Sequence, residues 1–196
     1  ALMMAGMMVF GGTMPVFAEA DTDTETEAQS EEPIVWSYED IDPDVYDGEW
    51  FSFEYGFDLY LPTDWEEADI SDSDNMVYAL NSPDGKMSLA ITCNTAEEMG
   101  TKAELDAVKA ALESEGFTGL ADAEINGIST VGFDGEQNVS GIAFVGESGN
   151  MYSIIVGPVE DEDSQAIALN IFRSFSETET EADTEADTEA DTEAES

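Results

Sequence analysis

Residues 123–156, AEINGISTVGFDGEQNVSGIAFVGESGNMYSIIV, decide the fold of this chain. Asn126-Gly127 is a strong short-range hairpin signal, because both residue types tolerate positive φ. A second group of turn formers occupies residues 147–150. Each of these turns separates apolar runs of strand length. The stretch therefore predicts an antiparallel meander.

Further strands are predicted upstream of the meander. Residues 50–61 alternate aromatic and polar side chains with a period of two, and Pro62 ends that run. Residues 76–80 and 87–93 are two more apolar runs, joined by the turn formers Asn-Ser-Pro-Asp-Gly at 81–85. These patterns predict a strand followed by a hairpin.

Two helices are predicted around the meander. Thr101 and Glu104 have capping-box spacing, Leu105, Val108 and Leu112 form one apolar stripe, and Gly116 is a typical left-handed stop. Residues 163–174 place a second apolar stripe behind an acidic N-terminal end. Strand runs around two separated helices predict an α+β sandwich.

The order of these elements resembles the PsbP-like domains, a fold shared by an extrinsic subunit of photosystem II and a Ran-binding nuclear import factor. The resemblance is carried by YGFDLYLPTDW at 55–65 and by IFRSF at 171–175. It implies a central antiparallel sheet sandwiched by helices, in an α/β/α arrangement. It also implies binding or assembly rather than catalysis, and it transfers no site residues to this chain.

Composition divides the chain into four pieces. Residues 1–18, ALMMAGMMVFGGTMPVFA, are predicted to be a cleaved signal peptide truncated at its start, with an uncleaved anchor as the alternative. Residues 19–33 and the Ala-Asp-Thr-Glu repeats of 177–196 are predicted to be disordered acidic segments, because they have too little apolar bulk to offset the entropy of ordering. Residues 34–176 are expected to form a single domain.

Charge narrows the range of partners. The 47 acidic residues against four basic ones give a formal net charge of −43, which repels nucleic acid and anionic lipid. We therefore expect no nucleic-acid partner and a monomeric state that is favoured by self-repulsion. From the predicted signal peptide we expect a secreted protein with no stable membrane span once the signal is cleaved. The single cysteine, Cys93, cannot form an internal disulfide, and its place in an apolar run indicates a packing role.

Motifs for catalysis are missing from the sequence. The chain contains no histidine, so it has no imidazole-activated nucleophile and no histidine-containing zinc site. No P-loop, dinucleotide fingerprint or G-x-S-x-G motif is present. We therefore expect a non-enzymatic protein without a cofactor.

Calcium is the metal that acidic loops suit best, because it prefers hard oxygen ligands. The candidates are Asp40, Asp42, Asp44 and Asp47. Their spacing departs from an EF-type loop, since Val45 and Ser52 stand where that loop needs glycine and glutamate. Solvated loops are the alternative interpretation of these residues.

Aromatic residues are concentrated between 36 and 65. Phe57, Leu59 and Leu61 share one strand face, which leaves Tyr60 on the other face. Trp36, Tyr38 and Tyr60 are therefore candidates for a ligand surface, with packing of this segment onto the sheet as the alternative. Together these features predict a secreted binding or adaptor domain for an extracellular protein or envelope component, with a calcium-associated or glycan-binding module as the alternative.

Overall fold

A computed structural model describes residues 33–98, 103–146 and 148–177. The predicted signal peptide at 1–18 lies outside these residues, as do nearly all of the predicted linker and of the repeat tail. Thr101 and Glu147 also lie outside them. Within the described part, no helix is long and apolar enough to cross a bilayer.

The described residues are mostly β-structure, connected by short turns. The strands and helices are, in chain order, β1 (Ile34–Trp36), β2 (Gly48–Phe53), β3 (Phe57–Pro62), β4 (Glu66–Glu67), β5 (Met76–Asn81), β6 (Ser88–Asn94), α1 (Leu105–Glu115), β7 (Thr118–Ile125), β8 (Ile128–Gly135), β9 (Val139–Val145), β10 (Met151–Gly157), α2 (Glu162–Arg173) and β11 (Ser176–Glu177). Short 3-10 turns occupy Tyr38–Asp40 and Glu136–Asn138.

The strands form two sheets rather than the predicted single antiparallel one. The larger sheet has eight strands in the order β1-β7-β8-β9-β10-β6-β5-β4, and the smaller has three in the order β11-β3-β2. The larger sheet is mixed, because β1 pairs with β7 in parallel while its other pairs are antiparallel. The predicted α+β fold, a central antiparallel sheet sandwiched by helices, is therefore wrong.

Periodicity explains why that prediction failed. The β2–β3 hairpin has the alternation that was predicted, with Phe57, Leu59 and Leu61 buried. Alternation reports that one strand face is buried but not which sheet the strand joins. This hairpin forms its own sheet and packs across the larger one, so a layer that we expected to be helical is largely β.

Two apolar clusters hold the layers together. The larger cluster joins the inner face of the three-stranded sheet and α2 to one face of the eight-stranded sheet, with Leu59, Ile154 and Phe172 fully buried. The smaller cluster lies where α1 packs on β7, β8 and β9, and its helical members are Val108 and Leu112. The predicted stripe of α1 is thereby confirmed.

The turn residues predicted the hairpin and the helix end more reliably than the order of elements predicted the layers of the fold. Asn126 and Gly127 adopt φ values of 50° and 84° between β7 and β8, which confirms the predicted hairpin. Gly116 ends α1 in the left-handed conformation, as predicted. The predicted capping box is wrong at Glu104, which is the extended N-cap of α1 and makes no side-chain cap hydrogen bond. A capping box occurs instead at α2, between Asp161 and Ser164.

Candidate functional site

The predicted ligand surface does not assemble as one site. Trp36 is half-buried on β1, at one edge of the eight-stranded sheet. Tyr38 is 57% exposed, and its backbone N–H donates to Asn126 Oδ1 at 2.8 Å. Tyr60 lies on β3, in the other sheet. The three candidates are therefore divided between two regions of the molecule.

Tyr60 belongs to a group of aromatic rings that sequence reasoning did not single out. It stacks on Tyr46 with ring centroids 5.6 Å apart, and the ring centroid of Trp50 lies 5.7 Å from that of Tyr60. Trp50 pairs with Tyr60 across β2 and β3 and is 51% exposed. We call Tyr46, Trp50 and Tyr60 the outer platform, because they lie on the sheet face opposite the buried Leu59 and Leu61.

Hydrogen bonds fix the geometry of the outer platform. The Tyr46 hydroxyl donates to the backbone carbonyl of Tyr60 at 2.8 Å, and the Gly48 N–H donates to the Tyr60 hydroxyl at 3.1 Å. Burial, followed by the neighbouring Tyr60, raises the pKa of Tyr46 well above its usual range. Tyr46 is thus a support for the platform, and Trp50 is its accessible ring.

Two of the calcium candidates, Asp40 and Asp42, use their carboxylates in local hydrogen bonds to the backbone. Asp40 accepts a hydrogen bond from the Ser37 N–H, and Asp42 accepts one from the Asp44 N–H. The Asp47 carbonyl accepts from the Thr63 N–H. Among residues 33–98, 103–146 and 148–177, no three His, Cys, Asp or Glu side chains form a group that could hold a metal ion.

A pocket of about 500 Å³ opens where the ends of the two sheets meet. Its walls are the turn between β2 and β3, the turn between β9 and β10, and the segment from Phe175 to Glu177 that follows α2. We call it the end pocket. Its volume lies within the range of about 300–1,000 Å³ that is usual for small-molecule sites.

Aromatic rings form the deep part of the end pocket. Phe57 is 1% exposed and lies 5.3 Å from Phe144, 5.8 Å from Phe175 and 5.9 Å from Tyr152, measured between ring centroids. Tyr55 is half-buried and lies 5.6 Å from Tyr152. These five rings all line the pocket, and most of their pairings are tilted or edge-to-face, as aromatic clusters prefer.

Polar groups surround the mouth of the pocket. Glu54 and Glu177 are exposed carboxylates, and Ser148 and Asn150 belong to the β9–β10 turn. Burial first, and the Glu54 carboxylate second, raise the pKa of Tyr55. Burial is also the main cause of the raised pKa of Tyr152. Both phenols are therefore neutral at physiological pH and can donate or accept hydrogen bonds.

Each wall of the end pocket is fixed by hydrogen bonds. In the β2–β3 turn, the Gly56 N–H donates to the Phe53 carbonyl at 3.0 Å. The Asn126 amide donates to the carbonyls of Arg173 and Phe175, at 2.9 and 2.7 Å. In the β9–β10 turn, the Gly146 N–H donates to the Asn150 carbonyl at 3.0 Å, and Asn150 Oδ1 accepts from the Ala96 N–H at 2.9 Å. A pocket whose walls are already ordered loses little entropy when it binds a ligand.

The sequence indicated only some of the aromatic residues that line this pocket. The aromatic residues of 53–57 were visible as strand alternation, but Phe144, Tyr152 and Phe175 come from β9, β10 and the end of α2, about 90 residues or more further on. Nothing in their spacing shows that they meet. Only the packing of the hairpin across the larger sheet brings the rings together.

Fold and site together define a mostly β module with two packed sheets and an aromatic pocket at one end. No protein-family model and no curated protein matches the chain, so the PsbP-like resemblance stays a prediction. A crystal structure from Bacteroides thetaiotaomicron aligns with 68% of this chain at 13% identity and a TM-score of 0.41. The alignment covers 49% of that protein, so the chain spans about half its length.

Proposed function

We propose that this chain is an exported, non-enzymatic binding module that holds a small, partly apolar ligand in the end pocket. One observation carries the proposal: five aromatic rings from separate parts of the chain line a cavity of about 500 Å³ together with polar side chains. Concave apolar sites with a few polar groups at one side are the usual form of small-molecule sites.

The chemistry of the lining favours binding over turnover. The side chains at the mouth can orient a ligand through hydrogen bonds, and the rings can bury its apolar part. Since the chain has no histidine, a proton-transfer role would fall on carboxylates and phenols. The proposal keeps the binding role expected from the sequence and moves the site from Trp36 and Tyr38 to the end pocket.

The proposal is tested by a substitution that blocks the pocket mouth. Its effect is measured as the affinity of the full chain for a panel of small molecules. Ser148 is exposed and lines the pocket, so Ser148→Trp should fill the mouth. At least one ligand from a panel of neutral, cationic and anionic aromatic fragments should bind the wild type. It should bind this variant at least about tenfold more weakly, which is a loss of about 1.4 kcal/mol of binding free energy. Ligand-observed NMR titration measures both affinities.

Ser71→Trp is the matched control. Ser71 is also exposed in a turn and lies outside the pocket lining. Tryptophan keeps the backbone N–H bond to Asp69 and loses only the contact of the serine hydroxyl with the same exposed carboxylate. This variant should bind like the wild type. Equal binding by Ser148→Trp, or no bound fragment anywhere in the panel, would contradict the proposal.

A second candidate function is carbohydrate binding on the outer platform. A half-exposed tryptophan supported from below by a tyrosine pair offers a flat ring face to a sugar. Trp50→Ala should then abolish retardation of the protein in polysaccharide-containing native gels, while Val35→Ala, at a residue that is 67% exposed, should not. Unchanged retardation by Trp50→Ala, or none by the wild type, would rule this candidate out.

A further inference from the structure

The charge of the end pocket has one sign. Its charged lining residues are Glu54 and Glu177, and no lysine or arginine belongs to the lining among the described residues. The basic residues that the structure describes make contacts elsewhere. Lys86 pairs with Asp84 at 3.0 Å, Lys109 pairs with Asp122 at 2.9 Å, and Arg173 donates to the Asp40 carbonyl at 3.0 Å.

The walls of the pocket add a second source of negative potential. Ring faces carry the negative part of the aromatic quadrupole, and cations are attracted to them at distances up to about 6 Å. Tyr55 is the outermost ring, half-buried beside Glu54, with Tyr152 at 5.6 Å and Phe57 at 6.4 Å. A positive group in the pocket would meet aromatic rings around it and the carboxylates of the lining.

Glu54 and Tyr55 both line the pocket, and the Glu54 carboxylate is close enough to raise the pKa of the Tyr55 phenol. The pKa of this phenol is raised by burial and then by Glu54, so loss of its proton, which would create a second negative charge there, is disfavoured. The net charge of −43 for the whole chain adds long-range attraction for any cation. An anionic ligand would be opposed by all of these groups.

We infer that the ligand of the end pocket is a small organic cation, an ammonium group carried on an apolar body. The apolar body packs against the cluster of Phe57, Phe144 and Phe175, and the ammonium lies near Tyr55 and the carboxylates of Glu54 and Glu177. This inference rests on the proposed function, since it names the ligand class of the same pocket.

A matched pair of probes tests the charge directly. Benzyltrimethylammonium and neopentylbenzene have the same shape, and they differ in that a charged nitrogen in one replaces a neutral carbon in the other. In low salt the cation should bind the full-length protein about tenfold or more tightly than the neutral isostere. The preference should shrink as added salt screens the carboxylates. Ligand-observed NMR titration gives both affinities.

The double variant Glu54→Gln/Glu177→Gln locates the effect. Both positions are exposed, so glutamine should be tolerated, and the cation should lose most of its preference while the neutral probe binds as before. Glu113→Gln/Glu115→Gln is the matched control, because it removes the same charge from exposed positions of α1, which packs on the other face of the eight-stranded sheet. It should leave the preference unchanged.

The outcomes separate this inference from the proposed function. If both probes bind equally and Ser148→Trp blocks both, the ligand class is wrong and the binding module stands. If the cation does not bind, the inference is wrong whatever the fragment panel shows. The inference is also wrong if the protein still prefers the cation to the neutral probe in both the Ser148→Trp and the Glu54→Gln/Glu177→Gln variants. That result would reflect only the general acidity of the surface.

Discussion

The outer platform and the end pocket both include residues of the β2–β3 hairpin, yet they offer aromatic rings in opposite ways. Trp50, on the platform, is 51% exposed, whereas Phe57, in the pocket, is 1% exposed. The alternation of strand side chains sends one set of rings outward and the other inward. The inward rings are shared between the core and the pocket, so the proposed binding would be coupled to stability there, whereas Trp50 is half in water and contributes less to the core.

The largest effect should come from truncating the central ring of the pocket. Phe57 lies within 6.4 Å of the rings of Phe53, Tyr55, Phe144, Tyr152 and Phe175. Phe57→Ala should therefore lower the free energy of unfolding by about 3–5 kcal/mol. Trp50→Ala is the matched variant and should cost less than about 1 kcal/mol, because half of its surface is already in water. Urea unfolding of the full chain measures both.

Similar losses of the free energy of unfolding for Phe57→Ala and Trp50→Ala would contradict the difference between the end pocket and the outer platform. That result would mean that Trp50 is a packed structural residue, and it would remove the carbohydrate-binding candidate. A loss below about 1 kcal/mol for both would instead mean that the rings around Phe57 are not part of the core.

An intermediate effect is expected at Gly48, which makes room for the platform tyrosines. A Cβ at this position would lie 2.5 Å from Tyr60 Cε1 and 2.8 Å from Tyr46 Cε2. Gly48→Ala should displace both rings and destabilise the fold by about 1–3 kcal/mol. Near-ultraviolet circular dichroism should show the loss of the tyrosine stack. Glu49→Ala, at an exposed position of the same strand, should change neither signal; a wild-type spectrum for Gly48→Ala would show that the stack does not depend on this glycine.

The smallest effect is a pH dependence of the platform in alkali. Burial raises the pKa of Tyr46 above the ordinary value of a tyrosine, about 10, so the folded state favours its neutral form. The stability that this phenol contributes is fully present below pH 10 and is lost as the pH rises further. Phenolate absorbance should show a tyrosine that ionises only as the protein unfolds. Tyr46→Phe should remove this component, and its persistence would assign it to another tyrosine.

Sequence patterns predicted the elements of this fold better than their arrangement. Asn126-Gly127 fixes a hairpin because its backbone needs are local, and Gly116 ends α1 for the same reason. The start of α1 was misplaced, since Glu104 could be read either as a helical residue or as the cap that it is. The three-residue β1 was too short to register as a strand, and its parallel pairing with β7 made the sheet mixed.

The candidate site shows the same division. Tyr60 was identified from strand alternation as a ring outside the core, and the structure places it beside Tyr46 and Trp50. Trp36 and Tyr38 were grouped with it because they are near in sequence, but they lie at the edge of the other sheet. The end pocket was missed altogether, because its rings come from β3, β9, β10 and the end of α2.

By itself, the sequence determined the acidic charge, the lack of imidazole chemistry, the positions of the turns and the inward set of apolar residues. These properties depend on residue type and on contacts within a few positions. Only the tertiary structure decided that the β2–β3 hairpin forms a separate sheet, and thereby that an aromatic pocket opens between the layers. The physical reason is that the hydrophobic effect is non-directional. Periodicity shows which face of a strand is buried, but the packing of the whole chain decides what covers that face.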